Sequence, residues 1–239
     1  MDATERARQR ARELARKRFV SAVDGPDDEV QLDVAALCIA AHAHPGLDID
    51  ACTSRLDELA AACPTATFDG VREYLFDAQR FLGNVRDYGD PENSFLDSVL
   101  ARRVGIPITL SLLMMEIGRR VGVDVRGVGM PGHFLVQEAA NNAVWCDPFH
   151  AGALYGFEDC RRLFARLHGG RELQPSYLDH TSKIDILSRM LANLEHGRLG
   201  TDALQLAWMC DLHLALPNLP AHERERLRIA VQTARARWN

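Results

Sequence analysis

The sequence lacks an uninterrupted apolar run of the roughly 20 residues that span a bilayer. Its longest apolar stretch, Ile106 to Ile117, is interrupted by Pro107, Thr109, Ser111 and Glu116. The arginine-rich first residues also lack the apolar segment that a secretory signal needs. We therefore expect no membrane partner and a cytoplasmic location.

Motifs that would hold a metal, a disulfide or nucleic acid are also missing. The six cysteines include no CxxC pair, which in a chain without an export signal indicates free thiols. The nine histidines are dispersed, with no HExxH sequence, so we expect no metal site and no cofactor. The net charge is −5 and no contiguous basic face with interleaved aromatics occurs, which argues against a nucleic-acid partner.

The composition, 47% hydrophobic and 26% charged, is that of an ordinary globular protein. Apolar residues recur at helical spacing through most of the chain, and glycine and proline mark the helix ends. We predict an N-terminal helical region (1–82), a core (83–168) and a C-terminal helical cap (169–239), together forming one compact unit. The predicted helices are 4–23, 32–42, 50–62, 71–82, 94–103, 106–121, 157–167, 183–195, 201–215 and 221–238.

The helix that begins at Ile106 is apolar nearly all round for its first three turns, which predicts that it is the central buried helix. Three short segments with strand character follow it: 123–128, 133–137 and 144–146. The predicted fold class is therefore α+β and helix-dominated, with a small antiparallel sheet packed on a central helix.

His133 begins the second predicted strand and Asp147 directly follows the third. The two side chains can meet across a hairpin, and an imidazole oriented by a carboxylate is the base half of a nucleophilic triad. A nucleophile would have to lie at the N-terminus of the central helix, where the helix dipole favours an anion. The same residues also fit a structural role, with His133 as a core histidine and Asp147 as a turn or cap residue.

The blocks NSFLDSVL, RRVGIPITLS, PGHFLV and DPFHAG occur in this order. With them the chain resembles the bacterial transglutaminase-like proteins related to the invasion-regulator B protein (SirB-type), which often carry a tetratricopeptide tail. The resemblance covers most of the chain and implies the α+β core of transglutaminases and papain-like peptidases. In catalytic members of that superfamily a cysteine begins the central helix, and a histidine and an aspartate lie on successive strands.

By this resemblance, His133 and Asp147 fall on the histidine and the aspartate, and Trp145 falls on the aromatic residue that precedes the aspartate. No cysteine lies in the first turn of the central helix, where Thr109 and Ser111 are the hydroxyl candidates. A hydroxyl remains protonated and needs a general base during attack, whereas a thiol near pKa ~8.5 can be drawn down to a thiolate.

Asn93 is a further candidate binding residue because its side chain could hold the loop over the pocket, although capping the next helix is the more common role of an asparagine at such a position. Two functions follow from these residues. The first is a non-catalytic or regulatory module with a degenerate catalytic triad that binds a peptide or protein. The second is a hydrolase or acyltransferase acting on amide or ester bonds through Thr109 or Ser111 with His133 and Asp147.

Overall fold

The computed structural model describes residues 2–236, and helices make up most of them. None of the helices in this range is both long enough and apolar enough to cross a bilayer. The helices are α1 (Ala3–Ala22), α2 (Leu32–Ala43), α3 (Ile49–Ala61), α4 (Phe68–Glu73), α5 (Leu96–Arg102), α6 (Pro107–Val121), α7 (Phe157–Leu167), α8 (Lys183–His196), α9 (Ala203–His213) and α10 (Ala221–Ala236). The strands are β1 (Leu82–Gly83), β2 (Val104–Gly105), β3 (Val125–Val128), β4 (Leu135–Glu138), β5 (Trp145–Asp147) and β6 (Ala153–Tyr155).

The backbone contacts group the chain into two compact units. The first unit is the described part of residues 1–53, 89–97 and 183–239, and the second unit is residues 54–88 and 98–182. Both units are built from segments that are distant in the sequence. The three regions predicted from the sequence pattern have boundaries other than those of these two units. That division stays a prediction.

The first unit consists of helices, and a buried polar network joins α8, α9 and α10 within it. His213 Nε2 lies 2.8 Å from Ser188 Oγ, and His213 Nδ1 lies 2.7 Å from Glu195 Oε1. Arg226 Nη2 donates to the other Glu195 oxygen at 2.8 Å. Ser188 lies beyond the first turn of α8, where backbone N–H groups are already used within the helix and cannot hold an oxyanion. These contacts tie α8, α9 and α10 together.

The second unit is built around α6, which is buried from Pro107 to Gly118. Pro107 occupies the first helical position, where its missing N–H costs nothing, and Gly122 ends the helix in the left-handed conformation at φ 82°. A Cβ atom on Gly118 would lie 2.6 Å from Cγ2 of Val125, so glycine lets α6 approach β3 closely. The predicted central buried helix is thus confirmed.

Four strands of the second unit form an antiparallel sheet in the order β3-β4-β5-β6. In its register, Val136 lies opposite Cys146 and Asp147 lies opposite Ala153. Strands β1 and β2 form a separate parallel pair, with Gly83 opposite Gly105. The sheet packs on α6 through β3 and β4, and α6 also contacts the 3-10 turn Pro148–His150. The α+β prediction with a small antiparallel sheet on a central helix is confirmed.

One local prediction was wrong and one strand was missed. The helix predicted over 71–82 ends at Glu73 as an α-helix, continues as a π-helical turn at Tyr74–Ala78, and gives way to β1 at Leu82. The sequence also gave no indication of β6, which is only three residues long and pairs with β5. The other predicted helices are present with ends shifted by a few residues at most, and the predicted end of the last helix at Trp238 lies outside the described residues.

His44, in the first unit, carries a pH-sensitive ion pair. Its Nδ1 lies 2.7 Å from Asp97 Oδ2, its Nε2 lies 3.2 Å from Glu92 Oε1, and its ring packs edge-on against Phe95. The hydrogen bond to Asp97 raises the pKa of His44 to about 9, against an opposing effect of burial. The charged imidazole therefore stabilises the folded state.

We expect His44→Gln to remove a pH-dependent part of the stability. The folded pKa lies above the unfolded value of about 6.5, so this stabilisation is fully present below pH ~6.5 and is lost as the pH rises through about 9. Its upper limit is about 3 kcal/mol. Urea unfolding at pH 6, 7.5 and 9.5 should show the wild-type and variant curves converging with rising pH. His222→Gln, at an exposed position, is the control, and a constant difference between wild type and His44→Gln would contradict the prediction.

Candidate functional site

His133 and Asp147 lie together in the second unit. His133 Nε2 is 2.8 Å from Asp147 Oδ2, and both side chains are buried. Asp147 is the last residue of β5, whereas His133 lies two residues before β4, in a turn where Gly132 takes φ 77° and the N–H of His133 donates to Met130. The geometry is that of an imidazole oriented by a carboxylate, and its catalytic role stays a prediction.

Asp147 also organises the turn that follows it. Its Oδ1 accepts the backbone N–H groups of Phe149 at 3.0 Å and His150 at 3.2 Å, which caps the turn Pro148–His150. Burial alone would raise the pKa of Asp147, but its hydrogen bonds to the two histidines outweigh burial and hold that pKa well below the usual range. Asp147 is therefore an anion inside the protein.

His150 is a member of the site that the sequence analysis missed. Its Nδ1 lies 2.7 Å from Asp147 Oδ2, the same oxygen that His133 contacts. The hydrogen bond to Asp147 raises the pKa of His150, against an opposing effect of burial, and 42% of its side chain is exposed. The signal in the sequence was the spacing: a residue three positions after an aspartate that caps a turn can bond back to that aspartate.

The two candidate nucleophiles on α6, Thr109 and Ser111, are fully buried. Their hydroxyl oxygens have no hydrogen-bond partner among the described residues. Neither hydroxyl is therefore bonded to His133, and a general base cannot take a proton from a hydroxyl that it does not contact.

Cys146, the cysteine nearest in sequence to the pair, is buried against the central helix. Its Sγ lies 4.0 Å from Sδ of Met114 in α6. Burial raises the pKa of Cys146, and the neighbouring charge of Asp147 raises it further. Burial likewise raises the pKa of Cys160 to about 12. Both thiols are protonated at neutral pH and are poor nucleophiles.

The two predicted binding residues lie in different units. Asn93 is buried in a 3-10 turn, Pro91–Ser94, of the first unit, and its N–H donates to the carbonyl of Asp90. Trp145 belongs to an apolar cluster of the second unit together with Leu135 and Phe164. Its indole N–H has no hydrogen-bond partner among residues 2–236.

A groove of about 340 Å³ opens beside Trp145 in the second unit. Its walls combine apolar and polar side chains: Gln137, Asn142, Trp145, Phe157, Pro175, Leu178, Asp179 and His180. The side-chain nitrogen of Gln137 also lacks a hydrogen-bond partner within the described residues, although Gln137 Oε1 lies 3.0 Å from His180 Nε2. Buried unpaired donors are costly, and both of these nitrogen atoms lie beneath the surface of the groove wall.

Close backbone packing holds the loop after Asp147 in place. A Cβ atom on Gly83 would lie 2.4 Å from the carbonyl oxygen of Phe149, so only glycine allows β1 to lie against this loop. Ala151 takes φ 54°, in the left-handed region, and the N–H of the following Gly152 donates to the carbonyl of Asp147 at 2.9 Å. The loop therefore folds back, so that Gly152 lies beside Asp147.

A buried helix, followed by antiparallel strands with a histidine in the turn before one strand and an aspartate at the end of the next, is the arrangement of an α+β protein with a transglutaminase-like core. The comparison with protein families agrees. The family model for the transglutaminase-like superfamily matches residues 42–192, which is more than half of the sequence, and the chain belongs to this superfamily.

Relatives occur in bacteria and in animals. A UPF0162 protein of Xylella fastidiosa is 33% identical over 219 residues, which cover 84% of this chain and 77% of that protein. A UPF0162 protein of Pseudomonas aeruginosa is 35% identical over 170 residues, covering 67% of this chain and 62% of that protein. Human F-box only protein 21 is 31% identical over 135 residues, covering 53% of this chain and 21% of that protein. No solved structure matches the chain significantly.

We expect Asp147→Ala to destabilise the protein strongly. The change leaves two imidazoles and two backbone N–H groups without their acceptor, and removing one partner of a buried ion pair costs about 3–5 kcal/mol. Asp124→Ala is the control because Asp124 is exposed and paired with Arg126, a kind of contact worth about 0–1 kcal/mol. Denaturant unfolding gives both values, and similar losses for the two variants would contradict the role assigned to Asp147.

Proposed function

We propose that the protein is a non-catalytic, regulatory member of the superfamily, of the SirB type, that binds a peptide or a partner protein in the cytoplasm. One observation carries the proposal: Thr109 and Ser111, the residues that the resemblance puts where a nucleophile would lie, have buried hydroxyls that make no hydrogen bond to His133. A catalytic centre needs its nucleophile within reach of its base and accessible to substrate.

The groove beside Trp145 is the proposed binding surface. An extended peptide offers a carbonyl oxygen at every residue, and a small shift of the groove wall would let such oxygens accept from the buried, unpaired N–H groups of Trp145 and Gln137. Phe157, of which 42% is exposed, and Pro175 add apolar surface for a side chain of the partner. A small number of polar groups in an otherwise apolar wall is typical of ligand sites.

We expect Phe157→Ala to weaken peptide binding at least about tenfold, which corresponds to roughly 1.4 kcal/mol for one lost aromatic contact. Peptides would be selected from a displayed random library on the full chain, and their affinities measured by fluorescence polarisation. Leu154→Ala is the matched control, because Leu154 is 47% exposed in the same unit but outside the groove. Failure to select any peptide, or equal affinity for wild type and Phe157→Ala, would refute the groove as the binding site.

The second candidate function, a hydrolase or acyltransferase, is favoured by the intact 2.8 Å contact between His133 and Asp147. A hydroxyl nucleophile would react with fluorophosphonate-type electrophiles and would depend on its base. We expect no labelling of Thr109 or Ser111 in the folded chain, as judged by peptide mass spectrometry. Labelling of either residue that disappears in His133→Ala would instead establish the catalytic function.

A further inference from the structure

A simple histidine–aspartate pair does not require His150. One imidazole is enough for a base, and one carboxylate oxygen is enough to orient it. Here a second imidazole nitrogen, His150 Nδ1, meets the same oxygen of Asp147 at 2.7 Å, beside the 2.8 Å contact of His133 Nε2. Two imidazole nitrogens and a carboxylate oxygen therefore converge on one point.

We propose that His133, Asp147 and His150 form a binding site for a zinc-like divalent transition-metal ion. The three ligand atoms lie within 4.8 Å of one another. Zinc–nitrogen and zinc–oxygen bonds of about 2.0–2.2 Å place tetrahedral ligands roughly 3.4 Å apart, so the side chains need only small movements to bind the ion. Each ring would then carry its proton on its other nitrogen.

The donor set selects the kind of ion. Two imidazoles and one carboxylate suit zinc and its first-row neighbours, and they leave at least one coordination position open. Magnesium and calcium prefer oxygen ligands and are poorly served by two nitrogens. Within residues 2–236, His133, Asp147 and His150 are the group of three potential metal ligands whose ligand atoms lie within 4.8 Å of one another.

The residues around the three ligands also favour metal binding. Asp147 Oδ1 is held by the N–H groups of Phe149 and His150, which fixes the orientation of the carboxylate as outer-shell contacts do in metal sites. The ring of Phe149 packs edge-on against both imidazoles, with centroids 6.1 Å from His133 and 5.3 Å from His150. His133 and Asp147 are buried, while the partly exposed His150 gives the ion a route from solvent.

The inference goes beyond the proposed peptide binding and is tested separately from it. The chelator-treated full chain would be titrated with Zn²⁺ by calorimetry and with Co²⁺ by absorption spectroscopy. We expect one ion per chain and a cobalt spectrum without a thiolate charge-transfer band. His150→Ala should weaken Zn²⁺ binding by more than the roughly 100-fold that loss of an outer-shell contact costs, while the exposed-site variant His222→Ala binds as wild type does.

A second variant keeps the test decisive if His150→Ala folds poorly, which circular dichroism would reveal. His150→Cys retains a ligand atom, so it should still bind Zn²⁺ and should gain a sulfur-to-cobalt band that wild type lacks. Absence of Zn²⁺ binding to wild type, unchanged affinity in folded His150→Ala, or no new band in His150→Cys would each overturn the proposal. None of these results bears on peptide binding in the groove beside Trp145.

Discussion

The buried carboxylate of Asp147 is the interaction on which the rest of the site depends. A charge withdrawn from water is tolerated only when other groups replace its hydration. Asp147 meets this condition with two backbone N–H groups on one oxygen and two imidazoles on the other. The same bonds end β5, cap the following turn and orient His133. Local backbone structure, stability and site geometry therefore all depend on the side chain of Asp147.

Helix α6 supplies the wall against which this arrangement is built, and it also explains why the site differs from that of a cysteine enzyme. Its residues from Pro107 to Gly118 are buried, including both hydroxyls that could have replaced a thiol. Burial without a hydrogen bond leaves a hydroxyl inert as a nucleophile, and burial raises the pKa of Cys146 and Cys160. What the structure shows is an imidazole, His133, held by a buried carboxylate, with no hydrogen bond from either α6 hydroxyl.

Much of this architecture could be predicted from sequence. Helical periodicity bounded by glycine and proline located most helices, and the order of buried helix and short strands gave the fold class. It also suggested that His133 and Asp147 meet. Predictions failed where local pattern is weakest: the periodicity over 71–82 hid a π-helical turn and β1, and β6 is too short to show alternation. In both places, pairing with another strand accompanies the conformation: β1 pairs with β2 about 20 residues away, and β6 pairs with the neighbouring β5.

The sequence by itself determined what is encoded over a few turns or residues: the location of most helices, the apolar character of α6, the capping turn after Asp147, and the absence of a cysteine at the start of α6. Only the tertiary structure decided which polar atoms find partners. It joined His150 to the same oxygen as His133 and left the hydroxyls of Thr109 and Ser111 without partners. The reason is physical: hydrogen bonding depends on distances of a few tenths of an ångström between atoms far apart in the chain, and spacing along a sequence does not specify them.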